Sequence, residues 1–218
     1  MSEQLDVFRV VGGARLAGEV HVPAAKNSIL KLMAATLLAP GVSTLTGAPD
    51  IDDLDVMAEL LTRLGCTVTR DRAAATVTID VPEQIEHRAD YELVQRIRAS
   101  TAVLGPLVAR TGSADLALPG GDAIGSRGID MHIAALEFLG AGFSTEDGYL
   151  HAHAPKGLRG AAIDFDFPSV GATENAVLAA VLARSLALGL SLSLSRSRSF
   201  SLSLSVSLAP FLSLCISL

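Results

Sequence analysis

The chain has 218 residues, of which 50% are hydrophobic and 4% aromatic, enough for one globular domain or one and a half small ones with a substantial apolar core. Its 17 Lys and Arg against 23 Asp and Glu give a net charge of −6, which argues against a general nucleic-acid or anionic-membrane surface, so any positive site must be local. Cys66 and Cys215 are too few for a disulfide framework or a zinc site, and we expect each to be a small buried hydrophobic residue. The acidic N-terminus lacks a long apolar run and predicts a cytoplasmic setting.

Three stretches share a plan in which a short strand and a small-residue turn lead into an apolar helix. The first has a strand at 18–22 and a helix at 24–39, the second a helix over 94–109, and the third a strand at 163–167 followed by a helix at 169–183. The predicted helix ends lie 70 and 74 residues apart. A period of this size indicates duplicated modules and not a solenoid of short repeats.

A second kind of helix ends in Leu-Gly before a predicted strand, at Gly65 and again at Gly140, which are 75 residues apart. Glycine at this position is expected to adopt the left-handed conformation that ends a helix. We therefore predict an α/β fold of repeated strand-helix modules, with helices in the middle and small sheets outside. The third module is incomplete in this chain.

The composition changes near residue 184. Residues 185–218 contain 12 Ser and 11 Leu, with every Leu on an even number, which would place all the leucines on one face of an extended chain. The segment is several times longer than an ordinary strand and contains no short turn signal. We interpret 184–218 as a low-complexity tail without a fold of its own. A membrane span over 199–218 is a weaker alternative because Ser alternates through it and Pro210 interrupts it.

Two predicted helix starts carry candidate anion-binding groups. Lys26 and Asn27 stand at the start of the first helix, where free N–H groups and a partial positive charge favour phosphate or carboxylate. Asn27 as a helix cap beside a solvated Lys26 is an equal alternative. Arg96 and Arg98 begin the second helix, and their spacing allows only one of them to face a shared pocket. Ordinary surface charge explains these arginines equally well.

A glycine-rich loop at 118–132 holds an acid, Asp122, and a base, Arg127. It matches neither a P-loop nor a dinucleotide fingerprint. Such a loop suits a lid that carries a proton donor and an anion clamp, whereas the plainer interpretation is an exposed turn. His151 and His153 share one face of a predicted strand, but no third ligand lies near them in the sequence, so we expect no metal site there.

Read together, these residues resemble the UDP-N-acetylglucosamine enolpyruvyl transferases of peptidoglycan synthesis over about residues 8–183. The resemblance is carried by motifs in the family's order: AAKN at 24–27, RAS at 98–100, LGPLVAR at 104–110, LPGG at 118–121, IGSRGIDMH at 124–132, LEFLGA at 136–141 and PSVGATEN at 168–175. The glycine-rich turns of the sister family that acts on shikimate phosphate are absent from the sequence.

The resemblance implies transfer of enolpyruvyl from phosphoenolpyruvate to the 3-hydroxyl of UDP-N-acetylglucosamine, with release of phosphate and without a metal or cofactor. Lys26 and Asn27 would hold phosphoenolpyruvate, and Arg98 and Arg127 would bind the anionic substrates. The residues expected to touch the UDP-sugar are Gly128, Ile129, Asp130, Met131, Ser169, Val170 and Gly171. Neither nucleic acid nor membrane is expected as a partner.

Three departures from the family pattern bear on activity. Asp122 stands where most members have the Cys that protonates C3 of phosphoenolpyruvate, and Gly128 stands where Pro is common. Members of the family are about twice as long and have two domains, so residues 1–22 would pack with a second domain and 23–183 would form an incomplete first domain. We therefore expect the chain alone to be inactive or nearly so. The alternative function is an inactive remnant that at most binds the UDP-sugar.

Overall fold

The structure is a computed structural model that describes residues 9–13, 15, 17–19, 24–117, 128–184, 188–192 and 200–204, the last two as backbone. The first repeat runs through α1 (Lys26–Thr36), β1 (Gly41–Thr46), α2 (Asp52–Arg63), β2 (Thr67–Asp71) and β3 (Thr76–Val81). Its strands form an antiparallel sheet in the order β1-β3-β2, with Gly41 opposite Val81. Most of the predicted strand at 18–22 lies outside the described residues.

The second repeat has the same plan. It contains α3 (Tyr91–Arg96), a 3-10 helix (Arg98–Val103), α4 (Leu104–Thr111), β4 (Ser113–Ala117), α5 (Asp130–Phe138), β5 (Gly142–Glu146) and β6 (Tyr149–His153). The sheet order β4-β6-β5 reproduces that of the first repeat, and Ser113 lies opposite His153. The repeated order confirms the duplication that the spacing predicted.

The third repeat contains β7 (Ala162–Phe165), α6 (Val170–Ala180), β8 (Leu188–Leu192) and β9 (Phe200–Leu204). The strand β7 pairs in parallel with β8, and β8 pairs antiparallel with β9. Both β8 and β9 come from the Ser/Leu-rich segment, although its sequence has no short turn signal. The proposed division of the chain near residue 184 stays a prediction.

The helices form the centre of the molecule and the sheets lie outside them. The helix α1 packs against α2 and the 3-10 helix, while α4 and α5 both pack against α6. The core is aliphatic, and the large side chains that are almost completely buried include Leu30, Met33, Leu60, Leu104, Leu107 and Leu116. This arrangement confirms the α/β class with central helices.

The two Leu-Gly helix ends have the same hydrogen bonds. At the end of α2 the Cys66 N–H donates to the Leu61 carbonyl at 3.0 Å, and Gly65 has a φ of +99°. At the end of α5 the Ala141 N–H donates to the Leu136 carbonyl at 3.0 Å, and Gly140 has a φ of +97°. Glycine reaches this conformation without a Cβ clash, so the predicted left-handed helix ends are confirmed.

The prediction of one continuous helix over 94–109 is wrong. The chain is extended at Ile97, with φ −135° and ψ 133°, and the 3-10 helix and α4 follow it. The buried Ser100 hydroxyl donates to the Ile97 carbonyl at 2.6 Å and lies 3.1 Å from the Val94 carbonyl. Side-chain hydrogen bonds of this kind satisfy carbonyl groups at a break that a continuous helix would not contain.

Cys66 is buried and reduced, as expected for a small hydrophobic residue. Burial raises the pKa of its thiol to about 11, with Arg110 lowering it and Asp80 raising it by smaller amounts. The thiol is therefore protonated at neutral pH and is a poor nucleophile. Cys215 lies outside the described residues.

Candidate functional site

The start of α1 presents Lys26 and Asn27. Ala25 is the N-cap residue and makes no side-chain cap, so the alternative in which Asn27 caps the helix is wrong. Asn27 is exposed, and the Lys26 ammonium lies 2.7 Å from the Asp53 carboxylate of α2. Because the Lys26 side chain is 55% exposed, this pair forms in solvent-screened surroundings and leaves the ammonium accessible to an anion.

Arg98 connects two of the predicted site segments. Arg96 ends α3 and Arg98 begins the 3-10 helix, so the two arginines do not share the start of one helix as predicted. The Arg98 guanidinium donates to the Gly128 carbonyl at 3.1 Å across 30 residues of sequence. This contact holds the half-buried arginine beside the segment that enters α5.

The segment that enters α5 has a different environment at each residue. Ile129 is buried and precedes α5, whereas Asp130 is exposed in its first turn and Met131 is half-buried. A Cβ placed on Gly128 would lie 2.6 Å from Asp130 Oδ1. A larger residue at 128 would therefore require the Asp130 side chain to move.

The start of α6 carries the other predicted sugar-binding residues. Ser169 caps the helix by accepting a hydrogen bond from the Ala172 N–H at 3.3 Å. Val170 is exposed, and Gly171 lies in the first turn of the helix. A Cβ placed on Gly171 would lie 3.2 Å from His132 Cε1, which brings this turn next to α5.

The start of α6 is also connected to the first repeat and to α5. The Lys31 ammonium of α1 forms an ion pair with the Glu174 carboxylate of α6. Asn175 of α6 lies 3.0 Å from Nδ1 of His132. Burial, with smaller contributions from the charges of Arg98 and Lys31, lowers the pKa of His132 to about 4, and the charge of Asp130 opposes this shift. The imidazole is therefore neutral at physiological pH.

The structure thus brings together Arg98, the segment 128–131 and the segment 169–171. Lys26 and Asn27 stand on α1, which is joined to α6 through Lys31 and Glu174. Asp122 and Arg127 lie outside the described residues. His132, Glu174 and Asn175 lie within the motifs at 124–132 and 168–175, but the sequence alone indicated no role for them. An asparagine within the apolar helix sequence of α6 was the one signal that could have found them.

Other polar groups lie away from these segments. His151 Nδ1 lies 2.7 Å from Asp115 Oδ1 on the sheet of the second repeat. That hydrogen bond, together with the charge of Asp115, raises the pKa of His151. Among the described residues no cluster of three His, Cys, Asp or Glu side chains is arranged to hold a metal ion. Across the same residues, no helix has the length and apolar character needed to cross a membrane.

Comparisons with known proteins place the chain in a class. The family model described as EPSP synthase (3-phosphoshikimate 1-carboxyvinyltransferase) matches residues 10–196. A solved structure of the enolpyruvyl transferase NikO from Streptomyces tendae aligns with a TM-score of 0.67 at 24% identity, covering 83% of this chain and 42% of that one. EPSP synthase from Acinetobacter baumannii aligns with a TM-score of 0.61 at 16% identity, covering 83% and 41%. The chain belongs to the EPSP synthase family of carboxyvinyltransferases.

Within that family, the sequence is similar to UDP-N-acetylglucosamine 1-carboxyvinyltransferases. It is 57% identical to that of Corynebacterium jeikeium over 178 residues, covering 82% of this chain and 42% of the relative. It is 56% identical to that of Nocardia farcinica over 187 residues, covering 84% and 43%. The chain therefore spans less than half the length of the curated relatives it matches.

Proposed function

We propose that this chain carries part of the site of a UDP-N-acetylglucosamine 1-carboxyvinyltransferase, which performs the first committed step of peptidoglycan synthesis. The observation that carries the proposal is the contact between Arg98 and Gly128, because it joins two motifs expected at the substrates. The approach of Gly171 to His132 adds the third motif to the same region.

The charges in this region suit two anionic substrates. The protein has a net charge of −6, yet Lys26 and Lys31 of α1 and Arg98 of the 3-10 helix lie in or beside the region. Lys26 and Lys31 pair with Asp53 and Glu174, so a bound anion would compete with these two carboxylates. Helix N-termini add partial positive charge and free N–H donors. A local positive site on an acidic protein would select the phosphates and carboxylate of phosphoenolpyruvate and a nucleotide sugar.

Residue roles follow the resemblance. Lys26 and Asn27 would hold phosphoenolpyruvate, and Arg98 and Arg127 would neutralise the substrate anions. The residues that would contact the UDP-sugar are Gly128, Ile129, Asp130, Met131, Ser169, Val170 and Gly171.

Asp122 is proposed as the general acid. It would give its proton to C3 of phosphoenolpyruvate while the sugar 3-hydroxyl oxygen bonds to C2 and passes its own proton to a base. Cleavage of the bond between C2 and the phosphate oxygen would then release phosphate, and transfer of a proton from C3 to a base would restore the double bond. An aspartic acid in water has a pKa of about 3.9, so the carboxyl needs the bound anion or burial to raise that pKa, while Arg127 opposes the rise.

Two measurements on the full chain separate catalysis from binding. Phosphate release is measured with both substrates present, and UDP-N-acetylglucosamine binding is measured by titration calorimetry. Turnover supports the transferase, whereas binding without turnover supports a remnant that retains the sugar site. Absence of both overturns the proposal for this chain.

Lys26→Ala and Lys156→Ala are a matched pair for the phosphoenolpyruvate site, because both lysines are exposed and Lys156 lies outside the site segments. Loss of phosphoenolpyruvate binding is expected in Lys26→Ala alone. If turnover is present, Asp122→Cys should retain it and gain sensitivity to fosfomycin, which alkylates a thiolate. Covalent modification of the Asp122 protein by fosfomycin would contradict the role given to the carboxyl.

A further inference from the structure

Asn175 makes three hydrogen bonds to three different elements although it is only 1% exposed. Its Oδ1 accepts from the Gly105 backbone N–H of α4 at 2.7 Å. Its Nδ2 donates to the Thr101 carbonyl of the 3-10 helix at 2.8 Å and lies 3.0 Å from His132 Nδ1 of α5. Because a backbone N–H can only donate, the amide oxygen must face Gly105 and the amide nitrogen must face His132.

This orientation determines the tautomer of His132. An amide N–H directed at Nδ1 requires Nδ1 to be the unprotonated acceptor, so the ring proton is on Nε2. An imidazolium would place two N–H donors against each other. The charged groups around the ring are Arg98 from the 3-10 helix, Lys31 from α1 and Asp130 from its own helix. The two cations also favour the neutral ring.

The adjoining Cε1–Nε2 edge of the ring faces the start of α6. A Cβ placed on Gly171 would lie 3.2 Å from Cε1 and 3.3 Å from Nε2 of His132. Any side chain at 171 would therefore push the ring by a few tenths of an ångström. His132 directly follows the segment 128–131, and Gly171 is the last residue of the segment 169–171. The contact between His132 and Gly171 therefore joins the two segments.

We propose that His132 is a positioning residue, which with Asn175 holds the segment 128–131 at a set distance from the start of α6. The role of this spacing in binding a nucleotide sugar rests on the proposed function, whereas the pairing itself does not. His132 acts through backbone placement, and it transfers no proton to the substrates. Loss of the pairing separates the two parts of the sugar site.

The first test measures the pairing without any ligand. In the ¹⁵N-labelled full chain, the imidazole signals of His132 should report a protonated Nε2 and an unprotonated Nδ1 at neutral pH. The backbone amide signals of Gly128 and Gly171 should change together in His132→Leu, which removes the acceptor. His132→Asn keeps an oxygen acceptor near the position of Nδ1 and should restore most of both signals.

The second test measures UDP-N-acetylglucosamine affinity by calorimetry in the same proteins. We expect His132→Leu to weaken binding tenfold or more and His132→Asn to remain within about threefold of the starting protein. His151→Leu is the matched control, because His151 pairs with Asp115 on a sheet away from the site. The control should bind as tightly as the starting protein.

The outcomes distinguish this proposal from the proposed function. A proton on His132 Nδ1 overturns the positioning role and leaves the proposed function intact. Equal UDP-sugar affinities of His132→Leu and His132→Asn, in a chain that binds the UDP-sugar, have the same consequence. The expected ring signals and amide changes in a chain that binds no UDP-sugar support the pairing and overturn the function. If His132→Leu does not fold, the tautomer of His132 in the starting protein and the UDP-sugar affinity of His132→Asn still test the positioning role.

Discussion

The first and second repeats share one chain plan but use opposite kinds of polar contact. In the first, Arg70 and Arg72 both pair with Asp50 and Asp55 at the surface, joining β2 to the start of α2. In the second, α5 is joined to α6 of the third repeat through the buried pair of His132 and Asn175. Exposed ion pairs are screened by water and are individually weak, whereas a buried polar group must keep its partner. The buried contact is thus the one that a small change disrupts most.

The largest effect is expected for Asn175→Ala. The substitution leaves the Gly105 N–H and His132 Nδ1 buried without their partner, whereas the Thr101 carbonyl keeps the hydrogen bond from the Leu104 N–H. We expect a loss of about 3–5 kcal/mol in the free energy of unfolding, because each buried unsatisfied group costs about 1–3 kcal/mol. Urea denaturation measures the change. Asn27→Ala, at an exposed asparagine, should alter stability by less than about 0.5 kcal/mol. Similar small losses in both variants would contradict the contrast between buried and exposed contacts.

Acid should weaken the buried pair next. The pKa of His132 is lowered to about 4 in the folded chain, against about 6.5 for an unfolded histidine. The unfolded chain takes up the proton first, so stability is full above about pH 6.5 and falls as the pH drops towards 4. The total loss in the free energy of unfolding is on the order of 3 kcal/mol. Urea midpoints measured between pH 4.5 and 7.5 should show a shallower pH dependence in His132→Asn. If the pH dependence of the urea midpoint is the same in His132→Asn as in the starting protein, a group other than His132 causes the loss of stability.

Disrupting the surface network should cost less. Arg70 is the least exposed member, at 11%, and also donates to the Pro49 carbonyl at 3.0 Å. We expect Arg70→Met to lower the free energy of unfolding by about 1–2 kcal/mol. Arg63→Met is the control, because Arg63 makes an exposed pair with Glu59 along α2, and it should cost at most about 0.5 kcal/mol. High salt should reduce the loss of stability caused by Arg70→Met. A loss as large as that of Asn175→Ala would contradict the contrast between surface and buried polar contacts.

The smallest effect concerns His151, whose pKa moves in the opposite direction from that of His132. Its hydrogen bond to Asp115 raises the pKa of the ring. The stabilisation is therefore complete below the pKa of an unfolded histidine and is lost as the pH rises through the higher folded value. His151→Gln should lower the urea midpoint slightly at pH 5.5, and the difference should shrink at pH 8.5. A difference that grows with pH would reverse the assigned direction.

Most of the fold could be predicted because its signals are local. The Leu-Gly helix ends depend on residues within one helical turn. The break at Ile97 could not be predicted in the same way. Residues 94–109 have an apolar helical pattern, and the extended residue is stabilised by burial and by the Ser100 hydroxyl. Tertiary packing overrode the local preference there.

The residues of the candidate site also differ in whether local sequence could predict them. Arg98 and the segment 128–131 were predicted from motifs, and the structure brings them into contact. His132 and Asn175 stood in those motifs without a role, because nothing local distinguishes a buried polar group from an exposed one. Asp122 and Arg127 stay predictions from the sequence.

The sequence by itself determined the repeated α/β plan, the left-handed glycines at Gly65 and Gly140, and the motifs that carry the candidate site. These features depend on periodicity and on neighbours a few residues away. Only the tertiary structure decided which polar groups meet in the interior. Asn175 finds His132 across 43 residues and Gly105 across 70 residues, and such contacts form only after separate repeats pack together and exclude the water that would otherwise satisfy each group.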